Sequence, residues 1–327
     1  MEKAKNNMKR YTQIYSQLRE RLRWKVTDPS LLMMVASLYI TNNRNFDIGR
    51  FNDVAEHIKN ESGLFSPLRS QSRFTFAAML DTRFDNPEEM FPHFITAYEE
   101  LVSAGFSRNI FTYIAAMLLI TTDVQDLGPL SDQARIIYKK MREKHLFLTS
   151  HSDYPLAVTL AQSERQSDEL IFHMEDLYSK LSQNGFRKGN DLQSMSHILS
   201  LHENSSADDL VAKSTEIFYA MKKEGIKPKS MFYPQMALLT FIEKDMNNLT
   251  QIKDIWEQLN LVKAFKWKKD INFMMAVTFV VSDKIENSSL LQTNLSTTIE
   301  TLIQAQQAAS IAAISGAAVA SSSNDNP

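Results

Sequence analysis

Residues 170–188 read LIFHMEDLYSKLSQNGFRK, the pattern of an amphipathic helix followed by a glycine-containing turn. Its apolar residues recur at spacings of three and four, as they do on one face of an α-helix. The pattern returns when the chain is shifted by forty residues in either direction. Tyr178 then corresponds to Tyr138 and Tyr98 on one side and to Phe218 on the other. This repetition indicates that one structural unit is used several times.

Four successive copies keep their apolar face in strict register, with no insertion between residues 90 and 226. Within each copy the spacing is four, three and four residues, which places the set on one stripe of a helix. We call these amphipathic segments the B helices. The register positions are Met90, Leu130, Leu170 and Leu210; Phe94, Ala134, Met174 and Ser214; Ala97, Ile137, Leu177 and Ile217; and Leu101, Met141, Leu181 and Met221.

A second kind of segment, apolar nearly all round, alternates with the B helices, and we call these segments the A helices. A helix without a polar face is typically buried between its neighbours. Small residues recur along them, at Ala36, Ala77, Ala116, Ala157, Ala237 and Ala276. The pattern predicts A helices at 71–82, 110–121, 151–163, 191–202, 231–243 and 271–282. It predicts B helices at 87–104, 128–144, 167–184, 207–224, 248–262 and 288–315, after three amino-terminal helices at 8–22, 30–41 and 50–60.

Helix-capping residues repeat with the same period. Gly105, Gly185 and Gly225 follow B helices, where a left-handed residue commonly ends a helix. Asp28 and Ser206 precede helices and have side chains suited to pair with a free amide. Four further residues with the same chemistry stand forty residues apart before A helices and are predicted to cap them: Ser150, Asn190, Ser230 and Asp270.

A forty-residue period with two helices per unit is typical of helical-repeat proteins. The sequence therefore predicts an all-α fold, an α-solenoid of about seven stacked helical hairpins with a period near 40 residues. We expect an amino-terminal capping helix at 1–27 and the helical-repeat solenoid at 28–300. Residues 301–327 are predicted to form an Ala-rich helix extension with a disordered tail, which ends the array or docks on another surface.

Composition excludes several classes of function. The chain of 327 residues has no cysteine, so it has no disulfide, thiolate metal site or thiol nucleophile. Its formal net charge is −2, and nucleic-acid-binding domains are usually basic, so nucleic acid is an unlikely partner on this criterion. We see no signal-peptide pattern and no membrane span, and we expect a cytoplasmic protein. No cofactor is predicted, and the oligomeric state stays open.

Charge is nevertheless segregated between the two kinds of turn. The A-to-B turns are acidic, as at Asp168 and Glu169. Matching of the helix dipole explains this pattern, and a basic rim for an acidic partner or nucleic acid is the other interpretation. The B-to-A turns collect the basic residues Arg108, Lys139, Lys140, Arg142, Lys144, Arg187, Lys188, Lys222, Lys223, Lys227, Lys229, Lys263, Lys266, Lys268 and Lys269.

Catalytic motifs are absent. His197 and His202 are five residues apart, which does not place them on one helical face as a zinc-binding helix requires. The segment 185–190, GFRKGN, lacks the Lys-Ser/Thr order of a phosphate loop. No nucleophile elbow or dinucleotide fingerprint occurs. Whether the protein is an enzyme is uncertain, and a non-enzyme is favoured.

Three residues depart from the apolar A-helix pattern. The position held by Tyr113 and Tyr233 is Asp153 and Gln193 in the two middle copies, and another apolar position is occupied by His197. Arg187, Lys188 and Asn190 lie just before the same helix. Two interpretations remain open for these six residues: structural hydrogen bonds between helices, or a pocket that binds a polar ligand.

The chain also resembles a known family. The segments that carry the resemblance are 148–150, LTS; 153–157, DYPLA; 185–190, GFRKGN; 196–199, SHIL; and 304–309, QAQQAA. Over nearly its full length the sequence resembles an uncharacterised bacterial family, domain of unknown function 4003. No activity is assigned to that family, so the resemblance implies no catalytic or binding residue and points only to a bacterial, cytoplasmic protein.

Three hypotheses for function follow. Stacked hairpins present a long groove, so the first is a non-catalytic binding or scaffold module for a peptide, a protein segment or a small polar ligand. The alternative is an enzyme with a site near Asp153, Gln193 and His197. The third is nucleic-acid binding by the basic edge.

Overall fold

The structure is a computed structural model that describes residues 2–64, 66–121, 126–163, 165–202, 205–242 and 246–286. Within these ranges the chain is helical throughout and contains no strand. The α-helices are α1 Glu2–Leu22, α2 Pro29–Thr41, α3 Ile48–Glu61, α4 Arg73–Arg83, α5 Pro87–Ser103, α6 Ile110–Leu119, α7 Leu127–Lys144, α8 Tyr154–Ala161, α9 Ser167–Gln183, α10 Asn190–Leu199, α11 Ala207–Lys223, α12 Tyr233–Leu239, α13 Met246–Leu261 and α14 Lys269–Glu286. Three 3₁₀ segments occupy Pro67–Arg69, His151–Asp153 and Ser230–Phe232.

Each helix that the periodicity predicts within these ranges is present. Two A helices begin differently from the prediction, because His151–Asp153 and Ser230–Phe232 form 3₁₀ turns before α8 and α12. In both, a proline is the second residue of the α-helix that follows, at Pro155 and Pro234. Proline has no N–H to donate to the preceding turn, so the α-helical bonding pattern starts late. The predicted helix 288–315 and the segment 301–327 lie outside the described residues.

The predicted stripe of the B helices is the buried face. The residues of two register positions are all buried, namely Phe94, Ala134, Met174 and Ser214, and Leu101, Met141, Leu181 and Met221. The six repeated alanines of the A helices, from Ala36 to Ala276, are completely buried. A side chain this small lets neighbouring helix backbones approach closely. The core therefore lies along the shared face of both helix types.

From residue 6 on, the described residues divide into two compact units, one of residues 6–135 and 151–159 and another of residues 136–150 and 160–286. We call them the amino-terminal and carboxy-terminal units. In the amino-terminal unit α3 packs against α4, α5 packs against α6, and α2 packs against α4. In the carboxy-terminal unit α9 packs on α10 and α11, α12 packs on α10 and α14, and α13 packs on α14. Helices that follow each other, and helices two apart, are thus neighbours.

A buried charged cluster supports the amino-terminal unit. The hydroxyl of Tyr39 donates to Oδ2 of Asp81 at 2.6 Å, and the Arg50 guanidinium pairs with the same carboxylate. Arg50 also donates to the carbonyl oxygens of Phe84 and Asp85. Burial and the neighbouring carboxylate raise the pKa of Tyr39 well above its ordinary value. Because Asp81 is itself buried, these bonds replace the water that its charge would otherwise need.

The predicted caps are confirmed in part. Asp28 accepts from the amide of Ser30, and Ser206 accepts from the amide of Asp209. Gly185 has a φ of +90°, the left-handed conformation expected at the end of α9.

The prediction was wrong for three of the four residues before A helices. Asn190 is the first residue of α10, Ser230 is the first of its 3₁₀ segment, and Asp270 is the second of α14. The position before α10 is taken by Gly189, with a φ of +144°. The sequence pattern placed the cap one or two residues too late, since the turn geometry decides where the first helical residue falls.

Candidate functional site

A repeated hydrogen bond connects four of the A helices, namely α6, α8, α10 and α12, to a turn of the preceding repeat. In the amino-terminal unit, the Tyr113 hydroxyl lies 3.5 Å from the Ser66 hydroxyl. In the same unit, the amide of Ser107 donates to the Tyr154 hydroxyl at 3.4 Å. Each partner lies 47 residues before its tyrosine along the chain. We call this contact the turn tether, because an A-helix side chain holds a B-to-A turn.

Two further tethers occur in the carboxy-terminal unit. The amide of Arg187 donates to the Tyr233 hydroxyl at 3.0 Å. In the remaining case the A-helix residue is Gln193, whose Nε2 donates to Oγ1 of Thr149 at 2.8 Å. The Thr149 hydroxyl in turn donates to the carbonyl oxygen of Met141 at 3.3 Å. Gln193 is buried and takes the place that tyrosine has in the other tethers. The side-chain amide of Gln193 therefore has a hydrogen-bond partner inside the protein.

Asp153 occupies a different register from the one that the forty-residue count assigned to it. In the structure the counterpart of Tyr233 is Tyr154, since both tether a turn and both precede a proline. Their rings also make the same kind of edge contact, Tyr154 with Phe106 and Tyr233 with Phe186. The spacing between the two tyrosines is one residue short of two periods. Asp153 is instead the last residue of a 3₁₀ segment, buried in the amino-terminal unit.

His197 is enclosed within the carboxy-terminal unit. Its ring is buried, and its Nδ1 has no hydrogen-bond partner among the described residues. Burial, together with the nearby charge of His145, lowers the pKa of His197 to about 3. The ring is consequently neutral near neutral pH. His145 itself lies with Nε2 3.0 Å from Oε1 of Glu175, and its ring contacts Tyr178.

The three remaining candidates lie where α9 leads into α10, with Arg187 and Lys188 in the turn and Asn190 as the first residue of α10. Arg187, Lys188 and Asn190 are all exposed. Two hydrogen bonds fix this turn, because the amide of Phe186 donates to the carbonyl of Leu181 and the amide of Gly189 donates to the side-chain hydroxyl of Tyr178. The six predicted residues thus separate into an exposed cationic turn, two buried residues of α10, and Asp153 in the other unit.

No group of His, Asp and Glu side chains that could hold a metal ion occurs among the described residues. Over the same part of the chain, none of the helices combines the length and the apolar character that crossing a bilayer demands.

Sequence reasoning missed the partners of the tether. Thr149 lies 44 residues before Gln193, and no spacing rule links a turn hydroxyl to an amide in another repeat. It also missed His145, which stands where the other copies have glycine and approaches Glu175. The signal that could have found His145 was this break in the glycine pattern at the end of a B helix.

The helices and the tethered turns define an all-helical protein. The chain belongs to the family described as protein of unknown function (DUF4003), which matches residues 14–308. A relative, the uncharacterized protein YeaA of Bacillus subtilis (strain 168), is 38% identical over 320 residues, which cover 97% of this chain and 96% of that protein. No solved structure matches the chain significantly.

Proposed function

We propose that this protein is a non-catalytic binding or scaffold module built as an α-solenoid of about seven helical hairpins. The turn tether supports this architecture, because the same contact recurs between A-helix starts and preceding turns in both units. The proposed solenoid spans residues 28–300 behind the capping helix at 1–27. The proposal also includes an Ala-rich helix extension with a disordered tail at 301–327, a segment outside the described residues.

The observation that carries the binding role is how the candidate residues divide between interior and surface. Gln193 is buried and tethers a turn, whereas Arg187 and Lys188 on the next turn and Asn190 at the start of α10 are exposed. Within this proposal Arg187, Lys188 and Asn190 contact the ligand, and the buried Gln193 holds a neighbouring turn in place. Two adjacent cations suit a peptide, a protein segment or a small ligand that carries negative charge.

Two observations support binding over the enzyme alternative near Asp153, Gln193 and His197. A general base works best with a pKa near the operating pH, and burial has moved the pKa of His197 to about 3. The amide of Gln193 is already engaged by Thr149. A substrate would have to displace that bond and open a packed interior to reach either side chain.

Site-specific photo-crosslinking in the native cell tests the binding role. A photoreactive amino acid replaces Asn190 in one strain and Lys213 in another, because both are exposed and Lys213 lies away from the turn, on α11. We expect a discrete adduct from position 190, absent from position 213 and lost when Arg187→Glu and Lys188→Glu are added. Equal labelling from both positions, or an adduct that survives the charge reversals, would contradict the proposal.

A further inference from the structure

Two turns, one in each unit, display a tryptophan in the same way. In the amino-terminal unit Trp24 is 88% exposed, and in the carboxy-terminal unit Trp267 is 83% exposed. Each follows a completely buried residue by two positions, Leu22 and Phe265. The amide of Lys25 donates to the carbonyl of Leu22 at 2.8 Å, and in the carboxy-terminal unit the amide of Lys268 donates to the carbonyl of Phe265 at the same distance. The segments LRWK and FKWK are thus one structural motif used twice.

The turn around Trp267 is firmly held from inside. Nδ2 of Asn272, a completely buried residue, donates to the carbonyl of Phe265 at 3.0 Å and to Oδ1 of Asn260 at 2.8 Å. Nε1 of Trp256 donates to the carbonyl of Lys269 at 2.8 Å. The exposed indole therefore sits on an ordered support.

Phe147, in the turn between α7 and α8, is a third aromatic residue exposed on a turn. It is 96% exposed, and Leu146 beside it is also exposed. The turn closes through amides of Leu148 and Thr149 that donate to the carbonyl of His145. The tether from Gln193 to Thr149 anchors it. Exposing a large apolar side chain costs free energy in water, and within the carboxy-terminal unit the two anchored rings of Trp267 and Phe147 suit a surface that meets a partner.

The B-to-A turns of the carboxy-terminal unit are linked to one another. Thr149 bonds to α10 through Gln193, and Arg187 bonds to the start of α12. Lys229 then pairs with Asp270 at the start of α14, with Nζ and Oδ1 2.5 Å apart. These bonds place the turns 145–150, 184–189, 224–229 and 262–268 at one end of the helices in this unit. We call this end the turn edge.

The turn edge combines basic and apolar side chains. Its exposed cations include Lys188, Lys227, Lys263 and Lys266, and the last stands 5.0 Å from the ring centre of Trp267. Indole and lysine together are typical of protein surfaces at the boundary between lipid headgroups and acyl chains. A cluster of lysines near such a surface attracts anionic lipid.

Aliphatic side chains distinguish lipid from nucleic acid as the partner. Leu261, at the end of α13, is 85% exposed, and Leu146 is exposed on the first of these turns. Bases stack on aromatic rings and on guanidinium groups. An isolated leucine offers them no π-face, whereas it inserts favourably among acyl chains.

We propose that the turn edge of the carboxy-terminal unit binds the surface of an anionic lipid bilayer, with Trp267, Phe147 and Leu261 inserted at the interface and the lysines facing the headgroups. The motif around Trp24 gives the amino-terminal unit the same chemistry. This proposal goes beyond the binding module described above. The two share the turn 184–189, but the vesicle variants leave Arg187 and Lys188 unchanged, so either proposal can fail without the other.

Vesicle co-sedimentation of the full chain tests this surface. We expect binding to vesicles in which a third of the phosphatidylcholine is replaced by phosphatidylglycerol, and no binding to phosphatidylcholine alone. Lys263→Glu with Lys266→Glu removes two lysines, each contributing on the order of fivefold to partitioning, so we expect a loss of at least about 25-fold. Trp267→Ala should lower partitioning by about tenfold, because an interfacial indole is lost.

Two matched variants control for exposed area and charge. Phe172→Ala removes an exposed aromatic ring near the start of α9, away from the turn edge, and Lys213→Glu reverses an exposed charge on α11. Both should bind vesicles like the wild type, and unchanged melting temperatures would show that all variants fold.

Brominated lipid gives a second measurement in Trp24→Phe, where the quenching that is lost on adding Trp267→Ala belongs to Trp267 and where Trp256 keeps its bond to the Lys269 carbonyl. Quenching of Trp267 fluorescence by brominated acyl chains supports insertion. Equal loss of binding in the turn-edge and control variants would overturn the proposal. So would binding to single-stranded RNA without binding to anionic vesicles, because the basic turns would then serve nucleic acid.

Discussion

The tether between Gln193 and Thr149 leads to a quantitative prediction about the interior of the carboxy-terminal unit. Thr149→Val keeps the shape of the side chain but removes the hydroxyl, and Gln193→Leu keeps a similar volume but removes the amide. The 2.8 Å bond between the two side chains is lost in either case. Both residues are buried, so water cannot restore the missing partner.

The two single variants should differ in cost. Thr149→Val leaves the Gln193 amide unpaired and removes one of the two bonds to the Met141 carbonyl, which keeps the His145 amide, and we expect it to cost about 2–3 kcal/mol. Gln193→Leu leaves the Thr149 hydroxyl bonded to that carbonyl and should cost only about 1 kcal/mol. In the double variant the amide penalty disappears. The loss of unfolding free energy in the double variant should therefore be smaller than the sum of the two single losses by about 1–1.5 kcal/mol.

Urea unfolding of the wild type, the two single variants and the double variant measures this coupling. Hydrogen exchange adds a local measurement, because the amide of Thr149 donates within the tethered turn and should exchange faster in Gln193→Leu. Additive costs to within about 0.5 kcal/mol would refute the tether as the reason for a glutamine at this position. Gln193 would then have another role, such as contact with a ligand.

Three further predictions follow from buried groups and backbone geometry. The pKa of His197 is about 3 in the folded protein and near 6.5 in the unfolded chain, so the free energy of unfolding falls as pH drops through this interval. Urea titrations should show that His197→Gln reduces the slope of this free energy against pH by about 1.4 kcal/mol per pH unit. An unchanged slope would refute the low pKa of His197. Asp81→Asn weakens the bonds to Tyr39 and Arg50 and should cost about 2–3 kcal/mol in thermal unfolding, whereas a cost near zero would contradict the buried cluster. Gly185→Ala places a Cβ at a φ of +90°, so denaturant unfolding should show a free energy of unfolding lower by about 1–2 kcal/mol. The control is Gly63→Ala, whose Cβ meets no neighbouring atom and whose φ is not positive.

Periodicity was a good guide to the helices and a poor guide to their exact starts. The buried stripe through Met174 and Leu181 could be predicted because each copy buries the same face, and burial imposes the same apolar spacing every time. Asn190 was misplaced as a cap, because the turn before α10 is set by Gly189. Asp153 was matched to Tyr233, although the local Tyr-Pro pair makes Tyr154 the counterpart.

The candidate site was predicted as a single group and the structure separates its members. Sequence identified Gln193 and His197 as unusual, since polar residues interrupt an otherwise apolar helix. It could not show that Gln193 already has a partner in Thr149, because that bond connects residues 44 apart. Nor could it show that Trp267 and Phe147 stay exposed, since the same residue types fill the core elsewhere.

The sequence by itself determined that this protein is helical, that its helices recur with a spacing near forty residues, and which stripe of the B helices is buried. These are local properties, because helix periodicity and capping depend on residues within a few positions of one another. Only the tertiary structure decided which A-helix side chain holds which turn and which aromatic residues remain at the surface. Those outcomes depend on contacts between residues more than forty positions apart, where a shift of a single residue exchanges Asp153 for Tyr154.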